Sequence, residues 1–443
     1  MSLRVLEFND AGVRLSDENG LLLSSPGYAL VLPKQIEFGE SARQQSRINP
    51  LNSYNQFWHK LSLDPFARPL AHYQHNAHLA FSHIEALANT AQKEGDVLLA
   101  VPGSFSREQM AILLGVMQKS PFRAVGIVDA ALAAVVEHSD GDVVIHADLQ
   151  LHQVVLTKLQ RNGADLQRES VVVVPGTGWV NISDSLIQLA TNAFIQQCRF
   201  NPQHNAESEQ MLLDAVPHWL QEALLEATQP FAAAAEVDET RRSLQIRLSH
   251  KNSVHEASLP RNSLATRLHS YYQKIAQQLA LLDPTGRAPL LLSDRMQILP
   301  GLQQALQGLE GQRPLRLLPE NTIAASSLRF ADSLVSEPDA VHFVSALRAP
   351  TASVTGAVAA QVQPAPTHLL MQHRARRLQD GLQVCPGAQL RERNGRFLLH
   401  ASAAVQLNGK TLSAPQVLHL GDVIRAEGMA DAITLVWVEG SDE

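Results

Sequence analysis

Apolar residues along this chain alternate between strand-like runs and stretches of helical period. Leu3–Phe8, Gly12–Leu15, Leu21–Leu23 and Tyr28–Leu32 read as strands, divided by Asn-Asp, Glu-Asn-Gly and Pro-Gly turn signals. Residues 74–94 carry Leu79, Ile84 and Leu87 at helical spacing, and a short apolar strand follows at Val97–Val101. Ser106 and Gln109 form a capping-box pattern that opens a helix running through Met117. A strand at Ala124–Val128 leads into an alanine-rich helix over Asp129–Glu137. Asp142–Leu159 reads as strand, tight reversal at 149–151 and strand, with Asp148 at the turn. Beyond it, 183–200 and 205–230 have helical period, Ser243–Ser249 and Val254–Leu259 suit a hairpin, and 261–282 is again helical. A strand at Pro289–Leu292, a helix at Gly301–Leu309, a strand at Leu315–Leu318 and a helix from Asn321 complete the alternation, which predicts an α/β architecture.

The pattern then changes. Residues 346–367 hold small residues and proline without period, the composition of a flexible linker. Residues 368–443 read as an all-β module of short strands with turns at R-N-G-R, L-N-G-K and L-G-D. With 443 residues, of which 45% are hydrophobic, the chain can bury more than one core. A net charge of -7 argues against a general nucleic-acid binder. The two cysteines, Cys198 and Cys385, make no disulfide framework, and a reducing, cytoplasmic setting is the expectation. The N-terminus lacks a signal-peptide core and no apolar run is long enough for a spanning helix, so direct membrane insertion is not expected.

The order of these pieces over residues 1–345 resembles the nucleotide-binding domain of the seventy-kilodalton heat-shock chaperones, within the actin and hexokinase superfamily. V-L-L-A-V-P-G-S-F-S-R-E-Q-M-A at 97–111 is similar to the family's strand and V-P-A-x-F turn. A-V-G-I-V-D-A-A-L-A-A-V-V at 124–136 resembles the strand and helix whose start carries a catalytic glutamate, a place held here by Asp129. Residues 142–159 resemble the second phosphate motif, with Asp148 at the magnesium-associated acid; 289–302 resemble the adenosine motif; 317–328 resemble the closing segment. F-G-E-S-A-R-Q-Q-S-R-I-N-P-L-N at 38–52 resembles the approach to the catalytic lysine, which puts Lys60 within a residue or two of that position. The resemblance implies a two-lobed actin-like fold around an ATP cleft. V-Q-L-N-G-K-T-L and L-H-L-G-D-V-I in the last segment resemble the distal half of a forkhead-associated domain, which implies a small β-sandwich.

The glycines that such a cleft requires are missing. The family's opening D-x-G-T-[TS] is replaced by Glu7-Phe8-Asn9-Asp10-Ala11-Gly12, in which Glu7 or Asp10 would supply the acid. Gln150, Leu151 and His152 follow Asp148, and Ser293 and Asp294 stand where the adenosine motif has Gly-Gly. Glycine lets backbone N–H groups approach a phosphate; side chains crowd it. The expectation is therefore a pseudo-ATPase scaffold or assembly factor with no cofactor, acting through protein partners and in part through 368–443. The alternative is a divergent ATPase or kinase that holds ATP and magnesium, with Asp129 orienting the nucleophile, Asp148 supporting the metal and Lys60 on the γ-phosphate. P-G-T-G-W at 175–179 lacks a P-loop ending, so Gly176 and Gly178 read first as a turn before a helix and second as ligand-approaching backbone. His146, Asp148 and His152 share one strand parity, which a turn at 149–151 would break. Arg374, Arg376, Arg377, Arg391, Arg393 and Arg396 cluster in the last module, either as a solvated face or as an anion-recognising one.

Overall fold

Two sheets led by antiparallel hairpins repeat one strand order in the computed structural model. It describes residues 3–70, 72–139, 141–227, 243–251, 253–307, 313–336, 341–349, 366–371, 374–385, 387–393, 396–401, 405–407, 410–411, 416–418, 422–426 and 433–436. The chain divides into two units, Met1–Thr351 and Ala352–Glu443.

In the first unit, β1 (Arg4–Asn9), β2 (Gly12–Asp17) and β3 (Gly20–Pro26) form an antiparallel meander, and β4 (Gly95–Val101) and β5 (Phe122–Asp129) add in parallel beside β1. The second sheet follows the same plan. There β6 (Val143–Leu149), β7 (Gln153–Asn162) and β8 (Asp165–Pro175) form the meander, and β9 (Leu290–Leu292) and β10 (Leu315–Leu317) add in parallel beside β6. Each sheet thus reads 3-2-1-4-5, and each gains a sixth strand: β11 (Phe343–Val344) beside β5 and β12 (Ala346–Arg348) beside β8. Ala346–Arg348, predicted as the first residues of a linker, are instead a strand with an antiparallel ladder to Asp165–Gln167. Residues 350–365 of that linker lie outside the described residues.

Helices fill the crossovers: α1 (Asn76–Ala91), α2 (Arg107–Lys119), α3 (Ala130–Val135), α4 (Trp179–Cys198), α5 (Ala206–Ala227), α6 (Arg261–Leu282) and α7 (Thr322–Arg329). The capping box at α2 is formed, with Ser106 Oγ accepting from Gln109 N at 3.1 Å and Gln109 Oε1 accepting from Ser106 N at 3.0 Å. Helix α4 begins four residues before the predicted 183, since Gly178 takes the N-cap position. Ser243–His250 and Ser253–Pro260 pair as the expected hairpin. No helix among the described residues is long and apolar enough to cross a membrane.

Strand parity decides which residues meet between the two sheets. Leu6 and Phe8 of β1 enter the first-sheet core with α1 and α2, while Val5 points the other way. Ile145, Ala147 and Leu149 of β6 enter the second-sheet core with α4, α5 and α6, while Val144 joins Val5. Every residue of α3 is buried in that shared middle cluster, which explains its run of small side chains. The residues two and four beyond Val5 and Val144 are Glu7 and Asn9, and His146 and Asp148, all on the same strand faces as those valines.

The second unit consists of antiparallel strands in a six-stranded and a four-stranded sheet. Leu369, Val405, Ile424 and Ile433 of the one share a core cluster with Leu390 and Leu399 of the other. The Arg374–Arg377 strand is an edge, and Arg376, Arg377 and Arg391 are exposed. The side chains of Arg374, Arg393 and Arg396 lie outside the described residues.

Candidate functional site

Glu7 and Asn9 of β1 approach Asp148 of β6 where the β1–β2 and β6–β7 turns meet, and arginines fill the space between them. Arg295, just after β9, lies 3.0 Å from Glu7 and 3.7 Å from Asp148. Arg14 of β2 lies 2.7 Å from Asp294 and 3.9 Å from Glu7. Asp148 also accepts from Asn9 Nδ2 at 3.3 Å and from Gln150 Nε2 at 3.4 Å. Burial works hardest on Arg295 and disfavours its charge, yet the carboxylates of Glu7, Asp148 and Asp294 outweigh it and push its pKa above the ordinary arginine value. Asp294 is pulled up by burial but held below the usual carboxylate range by Arg14, with Arg295 adding to the effect.

Asp129 serves as the N-cap of α3. Its Oδ1 accepts from Ala131 N at 2.9 Å and Leu132 N at 3.2 Å, and its Oδ2 accepts from Arg168 at 2.7 Å. It is fully buried, and burial raises its pKa despite Arg168 and the two amides. Gly103 sits where a Cβ would come within 2.9 Å of Asp129 Oδ2 and 2.8 Å of the Arg168 guanidinium, so the backbone itself closes over this pair.

Asp10 makes the most telling contact. Its carboxylate accepts the backbone N–H groups of Leu151 and His152, with His59 Nδ1 3.3 Å away. The turn that supplies these amides is 150–152, one residue later than the sequence suggests. On the far side of the same turn, Gln150 and Leu151 carbonyls accept from Trp179 N and Val180 N, the first amides of α4, at 2.9 Å each. Gly176 and Gly178 serve this packing. A Cβ on Gly178 would lie 2.3 Å from Gln153 N, and Gly176 holds a φ of 68°. Thr177 Oγ1 donates to Val174 O and accepts from Val154 N, which fixes the loop under the turn. Gly12 likewise packs on backbone, 2.3 Å from Ser25 O at a built Cβ and with φ 149°.

Several predicted residues are placed otherwise. Lys60 is exposed, and it is His59, one residue earlier, that reaches Asp10. His146 and Asp148 share a face, but His152 is turned away and contacts Asn55 O at 3.0 Å. Ser293 is buried and continues the backbone ladder by donating its N–H to Ala147 O. No group of three or more His, Cys, Asp or Glu among the described residues is arranged to hold a metal ion. Two small spaces of about 10 Å³ each lie here, one lined by Glu7, His146 and Asp148 and the other by Glu7, His146 and Asp294. That is room for about one water, against roughly 300–1,000 Å³ for a small-molecule site. His146 lines both voids; burial lowers its pKa against the pull of Asp148, Asp129, Glu7 and Asp294, and its Nε2 has no hydrogen-bond partner among the described residues.

Further out, arginines tie the 39–49 segment to α4 and α5. Arg43 pairs with Asp214 at 3.0 Å, and Arg47 pairs with Asp184 and, at 3.3 Å, with Glu209. Sequence reasoning found the acids but missed Arg14, Arg168 and Arg295. The one available signal was Arg295 itself, a basic residue directly after Ser293-Asp294. A scan against protein-family models and a search of curated proteins each gave no match.

Proposed function

We propose that residues 3–349 are a two-lobed actin-like domain whose nucleotide cleft has been closed from within, and that the protein acts as a pseudo-ATPase scaffold or assembly factor. The repeated 3-2-1-4-5 strand order supports the fold reading, since a duplicated sheet of that plan is what the resemblance to the heat-shock chaperone domain implies. On the same reading residues 368–443 are a forkhead-associated-like sandwich that contributes to binding a protein partner.

One observation carries the functional reading: Asp10 occupies the backbone amides of the 150–152 turn. In an actin-like ATPase those amides would face a phosphate; here a carboxylate of the chain takes the anion's place. The acids that would position magnesium are committed as well, Asp148 to Arg295, Asn9 and Gln150, and Asp129 to Arg168 and its own helix. ATP and magnesium do not fit this arrangement, and no catalytic step is assigned to it. The test is calorimetry of the full chain with ATP and ADP, with magnesium and with a chelator. No binding heat is expected at high protein concentration. Micromolar, magnesium-dependent binding that Asp148→Asn abolishes would overturn the reading in favour of a working ATPase.

A further inference from the structure

Two arginines four residues apart in G-E-S-A-R-Q-Q-S-R, Arg43 and Arg47, leave the first half of the first unit and reach the second half. The segment that carries them is an arm of the first half. Ala29–Leu32 pairs with Gln35–Phe38 before the arm and with Ser53–Tyr54 after it, so both ends of the arm are rooted in one small sheet. Its own turns hold it together. Arg43 N donates to Gly39 O, Gln44 N to Glu40 O, Ser46 N to Arg43 O and Asn49 N to Gln45 O, at 2.8–3.1 Å.

What joins the arm to α4 and α5 is different in kind. Arg43 pairs with Asp214, and Arg47 with Asp184 and Glu209; the two aspartates are 39% and 41% exposed. Between these pairs stands one buried group, Gln210 of α5, whose side-chain amide bonds the arm's backbone at two places. Its Oε1 accepts from Arg47 N at 2.9 Å and its Nε2 donates to Arg43 O at 3.2 Å. Leu151 of the 150–152 turn is buried with Tyr28, Leu30 and Ala42, so through Ala42 the arm packs on the turn that Asp10 holds. Ion pairs as exposed as those of the arm are screened by salt. Those among Glu7, Asp148 and Arg295, at most 15% exposed, are screened far less.

We propose that residues 39–49 are a salt-releasable clasp, which comes off α4 and α5 as an intact unit while the inner pairs of Glu7, Asp148 and Arg295 stay closed. Ionic strength then sets how often Gln210 lets go of the arm, and this opening is local, separate from global unfolding. The assignment concerns how the two halves are fastened, and it stands whether or not the cleft binds nucleotide.

Residue-resolved amide exchange of the full chain tests it. Arg47 N is the reporter, since its acceptor is the Gln210 side chain, and Ser46 N is the control, since its acceptor, Arg43 O, lies within the arm. An exposed ion pair is worth a factor of about two to five. Screening the pairs of Arg43 and Arg47 between about 0.05 and 1 M sodium chloride should therefore speed exchange at Arg47 by about tenfold. Ser46 and the amides of β4 should change by less than about twofold. The double variant Asp184→Asn, Glu209→Gln removes both acids that pair with Arg47. It should exchange fast at Arg47 already in low salt, with a smaller further response to salt. No salt response at Arg47, equal acceleration at Ser46, or a double variant that behaves as wild type would overturn the proposal.

Discussion

Replacing Arg295 with methionine takes the guanidinium from between two carboxylates while keeping most of the side-chain volume. Arg295 is 3.0 Å from Glu7 and 3.7 Å from Asp148, and the three side chains are only 15%, 7% and 15% exposed. At an effective dielectric of about 20, unit charges at such distances attract by roughly 4–6 kcal/mol per pair before desolvation is subtracted. Burying each ion costs several kcal/mol, so the net worth of the arrangement is far smaller than that sum. The loss on removing one partner is nonetheless large, about 3–5 kcal/mol, because Glu7 keeps only the more distant Arg14, at 3.9 Å, and Asp148 keeps only neutral donors among the described residues. With an unfolding entropy of about 2.1 cal/mol/K per residue over some 350 residues, this corresponds to a fall in melting temperature of about 4–7 °C. Differential scanning calorimetry of Arg295→Met and of the triple variant Glu7→Gln, Asp148→Asn, Arg295→Met makes the test. The triple variant should recover most of the loss, since its cleft no longer holds an unpaired charge. A single variant within about 1 kcal/mol of wild type, or a triple variant less stable than the single one, would refute the reasoning.

Asp10→Ala should destabilise the protein by about 2–4 kcal/mol in urea denaturation, since two amides of the 150–152 turn lose a charged acceptor; a change under 0.5 kcal/mol would show that the turn does not depend on it. His83 predicts a specific pH dependence. Trp58 Nε1 donates to its Nδ1 at 3.0 Å, so its Nε2 carries the proton toward Ser25 Oγ at 2.7 Å, and burial pushes its pKa down to about 3. The unfolded chain takes up a proton near pH 6.5 and the folded chain does not until about pH 3, so stability must fall with pH across that window. Between pH 6.5 and 4.5 wild type should lose about 2–3 kcal/mol more than His83→Gln; equal pH slopes for the two proteins would remove His83 from the account.

Periodicity made most of the first unit legible in advance. The 97–101 strand, the capped helix after Ser106, the 243–260 hairpin and the 261–282 helix all appear near their expected bounds. These elements are set by local pattern and by caps, which a sequence displays directly. The linker start was misplaced because Ala346–Arg348 are a strand only by virtue of the β8 edge they join, and nothing in three residues announces a partner 180 positions away. The candidate site was half legible for the same reason. Glu7, Asp129 and Asp148 stand out as acids in the sequence, but the cations paired with them come from β2, β8 and the turn after β9, far apart in sequence. His59 and Lys60 differ by one position, a distinction that the direction of a loop decides and composition does not.

The shared charge network of the cleft also bears on how such a protein can change over generations. Glu7, Arg14, Asp148, Asp294 and Arg295 satisfy one another. Loss of either arginine strands a carboxylate, at a cost comparable with a sizeable share of the roughly 5–15 kcal/mol that separates folded from unfolded domains. Rearranging this network without such a loss would need coordinated changes on strands that lie far apart in the gene. A stepwise path that removed an arginine first would pass through a destabilised protein, so the order in which substitutions can accumulate is set by the same ion pairs that hold the strands together.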